Sequence, residues 1–282
     1  MRARRHVGGG LHAARPAASR TAFGCRAVIY ALILGPSDDT IADSRVRMTT
    51  VSMPRLVLLP GLDGTGDLFD PLVKALPPGT ATTIVRYTAP ALSSYAQCRA
   101  AVRERLPRDE PYVLVGESFS GPVAISIAAT QPPGLYGLIL VASFVASPRR
   151  MLTWLSPLIP FMPTHGAPGW IIDFLLLGRF ATPQLREQVA DAMTKITPAT
   201  ARERLREVAL TSTSEDLTRV RVPILYMRAT HDRLVPRSCG KAITRLSARA
   251  TAVEVDAPHM LLQCAPRECA EVIGEFVKEC AV

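Results

Sequence analysis

One short turn restricts the possible folds of this chain more than any other feature of its sequence. The apolar residues 112–115 (Tyr-Val-Leu-Val) lead directly into Gly-Glu-Ser-Phe-Ser-Gly at 116–121. A strand that passes at once into a helix, here over 121–130, needs small residues at the turn because the two backbones come close together. Pro122 lies just inside that helix, where its missing N–H costs nothing. The segment therefore predicts a strand–turn–helix unit with Ser118 exposed at its apex.

Ser118 is the candidate nucleophile of this turn. The usual pattern is Gly-x-Ser-x-Gly, whereas Ser120 takes the last position here and Gly121 follows it. Serine is small enough for such a turn, so the departure does not exclude the prediction. The alternative is an ordinary strand–turn–helix corner that happens to contain a serine, and this segment alone does not separate the two.

Two more candidates follow strand-like segments further along the chain. Residues 222–227 (Val-Pro-Ile-Leu-Tyr-Met) are typical of a buried strand, and Asp232 lies on the loop after it. A second run, residues 252–255, leads into His259. Functional groups of open parallel sheets collect past the carboxyl ends of the strands, so Ser118 and these two residues are expected to meet there.

The three residue types together suit nucleophilic catalysis. A serine hydroxyl is a poor nucleophile at neutral pH, so His259 is expected to take the Ser118 proton during attack. Asp232 would hold the imidazole in the required tautomer and stabilise its cationic form. Two other assignments remain open: His231 as the base, and Asp256, three residues before His259, as the acid. The remaining histidines are interpreted as surface or core residues: His6, His12 and His165.

A glycine-rich loop follows another strand-like run, at residues 55–59. The loop reads Pro-Gly-Leu-Asp-Gly-Thr-Gly at 60–66, and a helical pattern with one apolar face comes after it. By itself this loop is more typical of a simple glycine-rich turn. Gly64-x-Gly66 also suggests a dinucleotide-binding loop, but Phe69 occupies the third glycine position, where its bulk would block close helix–strand approach.

Taken together, residues 58–64, the serine turn, the Asp232 loop and Pro258-His259 resemble the α/β-hydrolase superfamily. The likeness is greatest to its small esterase, lipase and thioesterase-like members, and it spans roughly residues 54–280. The loop sequence Leu-Pro-Gly-x-Asp-Gly-Thr-Gly is also similar to that of hydrolase-fold acyltransferases that make phytyl and diacylglycerol esters.

This resemblance implies an α/β fold: an eight-stranded, mostly parallel sheet with helices on both faces and a helical cap insertion. It implies the chain order Ser118, Asp232, His259 for nucleophile, acid and base. It also implies that the backbone N–H groups of Leu62 and Phe119 form an oxyanion hole, each worth about 3 kcal/mol to the transition state. Neither a metal nor an organic cofactor is implied.

Composition agrees with one large α/β domain. The 282 residues are 48% hydrophobic and 20% charged, which is typical of a globular protein with an ample core. Eight arginines against three aspartates give the first fifty residues a charge of +5, which leaves +4 of the total +9 for the rest. The basic balance therefore gives little support to a nucleic-acid partner. Stable membrane insertion is not expected either, because no apolar run reaches the roughly 18 residues of a membrane span.

The first 52 residues are predicted to be a disordered or non-native extension of a domain over 53–282. An arginine-rich stretch followed by the apolar residues 27–34 is similar to a secretory signal, but the charged region is long and lacks a convincing small-x-small cleavage site. We favour a start at Met48 or Met53 and a cytoplasmic protein with reduced thiols. The six cysteines show no Cys-x-x-Cys spacing, so no metal site is expected.

An insertion of different character follows the strand-like residues 138–141. It spans about 145–217, and residues 148–180 carry many of its aromatic and aliphatic side chains. Two helical patterns come next, each with a threonine N-cap and a first-turn proline: Thr182-Pro183 and Thr197-Pro198. In the fold that the chain resembles, this position holds the cap over the active site. A cap of this composition favours an apolar acyl or alkyl chain over a sugar or a charged substrate.

These observations predict a carboxylesterase- or lipase-like serine hydrolase that acts on a small-molecule substrate. It would cleave a carboxylic ester or thioester with an apolar acyl or alkyl part through an acyl-Ser118 intermediate. The alternative is an acyltransferase, which would form the same intermediate and pass the acyl group to an alcohol; the sequence does not separate the two. A non-catalytic binding protein on this scaffold is a third interpretation. Such proteins usually lack one of the three reactive residues, and here all three positions are filled.

Overall fold

A sheet of six parallel strands forms the centre of the structure, a computed structural model that describes residues 53–87, 92–149, 157–158 and 169–280. The strand order across the sheet is β2-β1-β3-β4-β5-β6. In chain order the strands are β1 (Arg55–Leu59), β2 (Thr82–Ile84), β3 (Tyr112–Glu117), β4 (Leu135–Val141), β5 (Ile224–Ala229) and β6 (Ala250–Val255).

The strand sequences suit a sheet that is covered on both faces. β3 and β5 are buried along their whole length, as expected for central parallel strands, which read as near-continuous apolar runs. Successive side chains of a strand point to opposite faces, so β1 contributes to two separate cores. Val57 and Leu59 pack in one of them, and Leu56 and Leu58 pack in the other.

Helices cover these two cores and extend over the described part of the predicted cap insertion. In chain order they are α1 (Asp70–Ala75), α2 (Tyr95–Glu104), α3 (Gly121–Ala128), α4 (Gly169–Ile172), α5 (Pro183–Thr194), α6 (Pro198–Leu210), α7 (Ser214–Arg219), α8 (Arg237–Leu246), α9 (Leu261–Cys264) and α10 (Pro266–Cys280). α2, α3 and α8 bury Val102, Val123 and Ile243 in the core of Val57, whereas α10 buries Ile273 in the other.

Threonine caps begin the two longer helices between β4 and β5. The Thr182 side chain accepts a hydrogen bond from the Leu185 N–H, and the Thr197 side chain accepts one from the Thr200 N–H. Each cap satisfies one of the N–H groups that a helix start leaves without an intrahelical acceptor. The start of α6 is thereby fixed.

The predicted α/β class is confirmed, but the predicted count of eight strands is wrong for the part of the chain that the structure describes. The sheet there has six strands. The first described strand begins at Arg55, and the long connection from β4 to β5 forms helices and no further strand of the sheet in its described parts. β2 escaped prediction because a three-residue strand is too short to show a periodic pattern.

All described residues belong to one compact unit, Thr50–Val282. The predicted extension over 1–52 lies outside the described residues, as do His6, His12 and His165. Within the described ranges, none of the helices combines the length and apolar character that a membrane crossing requires.

Candidate active site

Ser118 lies at the sharp turn between β3 and α3 with a left-handed backbone, at φ 46°. This conformation is uncommon for a residue with a side chain and is a known feature of strained functional turns. Two glycines make the turn possible. A Cβ on Gly116 would lie 2.9 Å from the Ala124 Cβ, and a Cβ on Gly121 would clash with Ser143. The small residue required after the serine is therefore Gly121.

Ser118, His259 and Asp232 form one line of hydrogen bonds. The Ser118 Oγ lies 3.0 Å from His259 Nε2, and His259 Nδ1 lies 2.9 Å from Asp232 Oδ2. The three residues come from the loops after β3, β6 and β5, all at the carboxyl edge of the sheet. The structure thus brings together the three candidates that the sequence indicates, although they are up to 141 residues apart.

The surroundings of Asp232 determine which atoms donate and which accept in these two hydrogen bonds. Its side chain is only 3% exposed and that of His259 only 8%. The other oxygen of Asp232, Oδ1, accepts hydrogen bonds of 2.8 Å from the N–H groups of Leu234 and Val235. An ionised carboxylate only accepts, so His259 Nδ1 carries the proton and Nε2 accepts the hydroxyl proton of Ser118. This is the tautomer that general-base catalysis requires.

His231 and Asp256, the open alternatives, pair with each other instead. His231 Nε2 lies 2.8 Å from Asp256 Oδ1, and Arg179 Nη2 lies 3.1 Å from Asp256 Oδ2. The hydrogen bond to His231 contributes most to lowering the pKa of Asp256. This cluster is exposed, and none of its hydrogen bonds within the described residues reaches Ser118, so its geometry offers no route to the hydroxyl.

Ser120 explains the departure from the usual glycine pattern. Its buried hydroxyl donates a hydrogen bond to the carbonyl of Pro60 and lies 3.1 Å from the Tyr87 hydroxyl. A glycine at this position could not make either contact. Ser120 therefore joins the Ser118 turn to the loop after β1, a role that was missed from the sequence. The signal available was a polar residue at a position that must be buried.

The loop 60–66 lies beside Ser118 in a tight turn. The Gly64 N–H donates to the Gly61 carbonyl at 3.1 Å, and the Asp63 carboxylate binds the Thr65 N–H and hydroxyl. The N–H of Leu62 has no hydrogen-bond partner within the described residues. Leu62 also lines the cavity that contains Ser118, which leaves this N–H available to a ligand.

The N–H of Phe119 is the second predicted oxyanion donor. It lies in the first turn of the helical segment that follows Ser118, where N–H groups have no intrahelical acceptor. The Phe119 ring stacks on Tyr95 with centroids 4.7 Å apart, which holds this part of the turn in place. The structure thus places both predicted donor residues, Leu62 and Phe119, at the wall of the cavity.

Glu117 is a buried acid directly beside this site. Burial raises the pKa of its carboxyl to about 7, while the Gln263 amide, which donates at 3.0 Å, works in the opposite direction. The nearby Asp63 carboxylate raises the pKa of Glu117 further, and His259 lowers it. The Gly61 backbone N–H also lowers the pKa of Glu117, as the least of these influences. An acid within an apolar strand was the one sign of this buried position in the sequence.

A cavity of about 360 Å³ opens above Ser118. Its lining is mainly apolar, and two clusters of packed side chains form much of its wall. The first wall contains Phe144, Val208, Leu234 and Val235. The second wall contains Leu68, Leu176, Val189, Met193 and Met260.

The charged groups at this cavity are few. The acidic and basic side chains that line it are Glu117, Asp63, Arg149 and His259, and the Arg149 guanidinium donates to the carbonyl of Arg233. Within the described ranges, no three His, Cys, Asp or Glu side chains are grouped as a metal site would require. The cavity therefore combines the hydrogen-bonded residues Ser118, His259 and Asp232 with two apolar walls.

The parallel sheet with a serine turn at its carboxyl edge defines an α/β fold of the hydrolase type. The chain belongs to the α/β hydrolase family, whose sequence model matches residues 56–272. No curated protein sequence matches this chain.

Solved structures with this fold share little sequence with the chain. The enol-lactonase from Burkholderia xenovorans LB400 has a TM-score of 0.68 at 15% identity and covers 80% of this chain and 91% of its own. The esterase from Exiguobacterium antarcticum has a TM-score of 0.66 at 13% identity, with coverages of 80% and 92%. A thermophilic esterase from Thermogutta terrifontis has a TM-score of 0.63 at 18% identity, with coverages of 81% and 91%. At these identities the similarity is one of fold.

Proposed function

We propose that this protein is a serine hydrolase that cleaves a carboxylic ester or thioester with an apolar acyl or alkyl part. The observation that carries the proposal is the unbroken hydrogen-bonded line from Ser118 through His259 to Asp232, at a cavity with apolar walls. Membership of the α/β hydrolase family supports it, and two of the similar folds are named esterases.

The first half of the proposed reaction forms an acyl-enzyme. Ser118 Oγ bonds to the ester carbonyl carbon while its proton passes to His259 Nε2, and the carbonyl π pair moves to oxygen. The N–H groups of Leu62 and Phe119 would bind this negative oxygen. Asp232 stabilises the imidazolium that results. When the oxyanion collapses, the bond to the alcohol or thiol breaks, and the leaving group takes the proton from His259.

The second half reverses these steps with water. His259 removes a proton from a water molecule as its oxygen bonds to the acyl carbon of Ser118. Collapse of the second oxyanion breaks the acyl–Oγ bond, and the proton returns to Ser118. Free acid leaves and the starting enzyme is restored. No redox step occurs, so the residues of the site suffice for the complete cycle.

The apolar walls support the substrate class. A cavity of about 360 Å³ is at the small end of ligand sites, which favours a short or medium acyl or alkyl chain. Burial of one methylene group stabilises a complex by about 0.8 kcal/mol, so the walls around Phe144 and Met193 would favour binding of apolar chains.

Acyl transfer is the second candidate. The loop sequence at 59–66 favours it, as does an apolar cavity that would hold an alcohol and exclude water. Both reactions share the acyl-Ser118 intermediate and differ in what attacks it.

One set of assays tests the proposal and separates these candidates. Wild type and Ser118→Ala would be assayed with p-nitrophenyl esters from acetyl to palmitoyl, with and without a long-chain alcohol. We expect wild type to release p-nitrophenol and free acid, with Ser118→Ala slower by about 10⁶. New ester in place of free acid would favour acyl transfer. Turnover retained in Ser118→Ala would overturn both.

A further inference from the structure

Arg204 is a fully buried cation that the proposed reaction does not use. It lies in α6, on the same face as Thr200 and Ala201, at 0% exposure. Removing a guanidinium from water is costly unless its donors are bound. Within the described residues, the Arg204 guanidinium makes no hydrogen bond to a carboxylate.

Three main-chain carbonyls bind the Arg204 guanidinium. Nη1 donates to the Leu62 carbonyl at 2.7 Å, and Nη2 donates to those of Tyr87 and Leu92 at 2.7 and 2.8 Å. The guanidinium also lies 5.7 Å from the centre of the Phe119 ring. It thus contacts both residues whose N–H groups are the predicted oxyanion donors.

Gly64 makes room for this group. A Cβ on Gly64 would clash with the guanidinium, and the φ of +72° at this residue is one that glycine adopts without strain. The loop at 60–66 is therefore shaped around Arg204.

Hydrogen bonds hold the carbonyl groups on either side of the Leu62 N–H. Before it, the Pro60 carbonyl accepts a hydrogen bond from the Ser120 hydroxyl. The peptide that contains the Leu62 N–H is bound at its own carbonyl, which belongs to Gly61, by the Gly64 N–H.

On the C-terminal side of the Leu62 N–H, the Leu62 carbonyl accepts a hydrogen bond from Arg204 alone among the described residues. Ser120 and Gly64 belong to the serine turn and to the loop itself, whereas Arg204 comes from a helix 142 residues away. Among the described residues, Arg204 makes the one hydrogen bond to these peptide groups that comes from the connection between β4 and β5.

We propose that Arg204 is a positioning residue that holds the Leu62 N–H in the orientation that binds the oxyanion, and so couples α6 to the reaction. The inference rests on the proposed function, because it concerns the oxyanion of the acyl-transfer step. Preorganised donors stabilise developing charge because they need no reorganisation as the charge forms. Movement of the Leu62 peptide would therefore weaken the transition state more than the substrate complex.

Two variants of Arg204 test this. Arg204→Lys keeps the charge but cannot reach three acceptors, and Arg204→Met keeps much of the volume without donors. Each would be compared with Arg206→Lys, an exposed position on the same helix whose side chain pairs with Glu203. Activity would be expressed per site labelled by a fluorophosphonate, so that unfolded molecules are not counted.

The readouts are kcat and KM for p-nitrophenyl butyrate and the Ki of a butyl trifluoromethyl ketone. Ser118 adds to that ketone, its proton passes to His259, and the oxygen of the adduct becomes an oxyanion. For both Arg204 variants we expect kcat to fall and Ki to rise by similar factors, roughly 10- to 100-fold, with KM within about threefold. Arg206→Lys should match wild type.

Labelled Arg204 variants whose kcat and Ki stay within about twofold of wild type would overturn the inference. It would also fail if KM alone rose, because Arg204 would then act on substrate binding. Either outcome leaves the proposed function intact, since that depends on Ser118 and is tested by Ser118→Ala.

A measurement on wild type covers the case in which neither variant folds. Amide hydrogen exchange would be followed with and without the ketone. Coupling through Arg204 predicts slower exchange in both residues 60–66 and α6 when the oxyanion adduct forms. Protection of the loop without protection of α6 would contradict the inference.

Discussion

The Ser120 hydroxyl donates a hydrogen bond to the Pro60 carbonyl, which joins the turn after β3 to the loop after β1. Both groups are buried, and the Tyr87 hydroxyl lies beside them. Ser120, at the position that usually holds glycine, thus links the turn of the nucleophile to the predicted oxyanion loop through a hydrogen bond.

Ser120→Ala is expected to lower both stability and activity. The change leaves the Pro60 carbonyl and the Tyr87 hydroxyl short of a buried partner, which costs about 1–3 kcal/mol. Denaturant unfolding measures that loss, and ester kinetics should show a lower kcat. Ser126→Ala is the matched control, because Ser126 bonds Asp216 away from the loop, and its kcat should equal that of wild type. Equal kcat for the two alanine variants would contradict the proposed link between Ser120 and the loop.

The two candidate acids can be separated by paired amide variants. Asp232→Asn should lower kcat by about 10⁴, because an amide does not enforce the required His259 tautomer, and His259→Ala should cost about 10⁶. Asp256→Asn should change kcat less than twofold, since Asp256 pairs with His231. Steady-state kinetics of the three variants decide the matter, and a larger loss in Asp256→Asn than in Asp232→Asn would reverse the assignment.

Glu117 should make stability depend on pH between its unfolded and folded pKa values. The unfolded value is near 4.5, and burial raises the folded pKa to about 7, so the folded state holds its proton more tightly. The associated stability is fully present below pH 4.5 and is lost as pH rises to about 7, a change of about 3 kcal/mol. Glu117→Gln does not titrate and should lack this fall. Urea unfolding at several pH values measures the difference.

Glu104→Gln provides the control for that experiment, because Glu104 is exposed at the end of α2. Its free energy of unfolding should follow pH as the wild type does. A parallel pH dependence in wild type and Glu117→Gln would show that Glu117 does not titrate in this range.

Chain-length preference should respond to the cavity walls. Val208→Phe would fill space beside Phe144 and Val235, so we expect kcat/KM for the octanoyl ester to fall relative to the acetyl ester by about tenfold or more. Leu210→Phe places the same ring on the exposed side of α6 and should leave the ratio unchanged. An unchanged ratio in Val208→Phe as well would mean that this wall does not hold the chain.

The sequence predicted what depends on local pattern. The serine turn, the runs at 55–59 and 222–227 and the positions of Asp232 and His259 were readable because each follows a strand. The contacts of Ser120 and Arg204 were not, because they join main-chain carbonyls 60 and 142 residues away, and a carbonyl leaves no mark in a sequence.

A weaker signal for Arg204 was nevertheless present. It lies three and four residues after Ala201 and Thr200, on the buried face of α6, where a charged residue requires an explanation. The predicted strand count exceeds the six strands of the described residues for a different reason: the number eight came from the resemblance and not from strand patterns in this chain. The resemblance to the family therefore predicted the fold class correctly and the number of strands less accurately.

The central claim is that Ser118 is the nucleophile, and covalent labelling tests it most directly. The wild-type protein would be treated with a fluorophosphonate, digested, and its modified peptide identified by mass spectrometry. We predict one adduct, on Ser118, that is formed slowly or not at all in His259→Ala and is slowed by a competing ester. Labelling at another residue, or an unlabelled Ser118 in a protein that hydrolyses esters, would contradict the account.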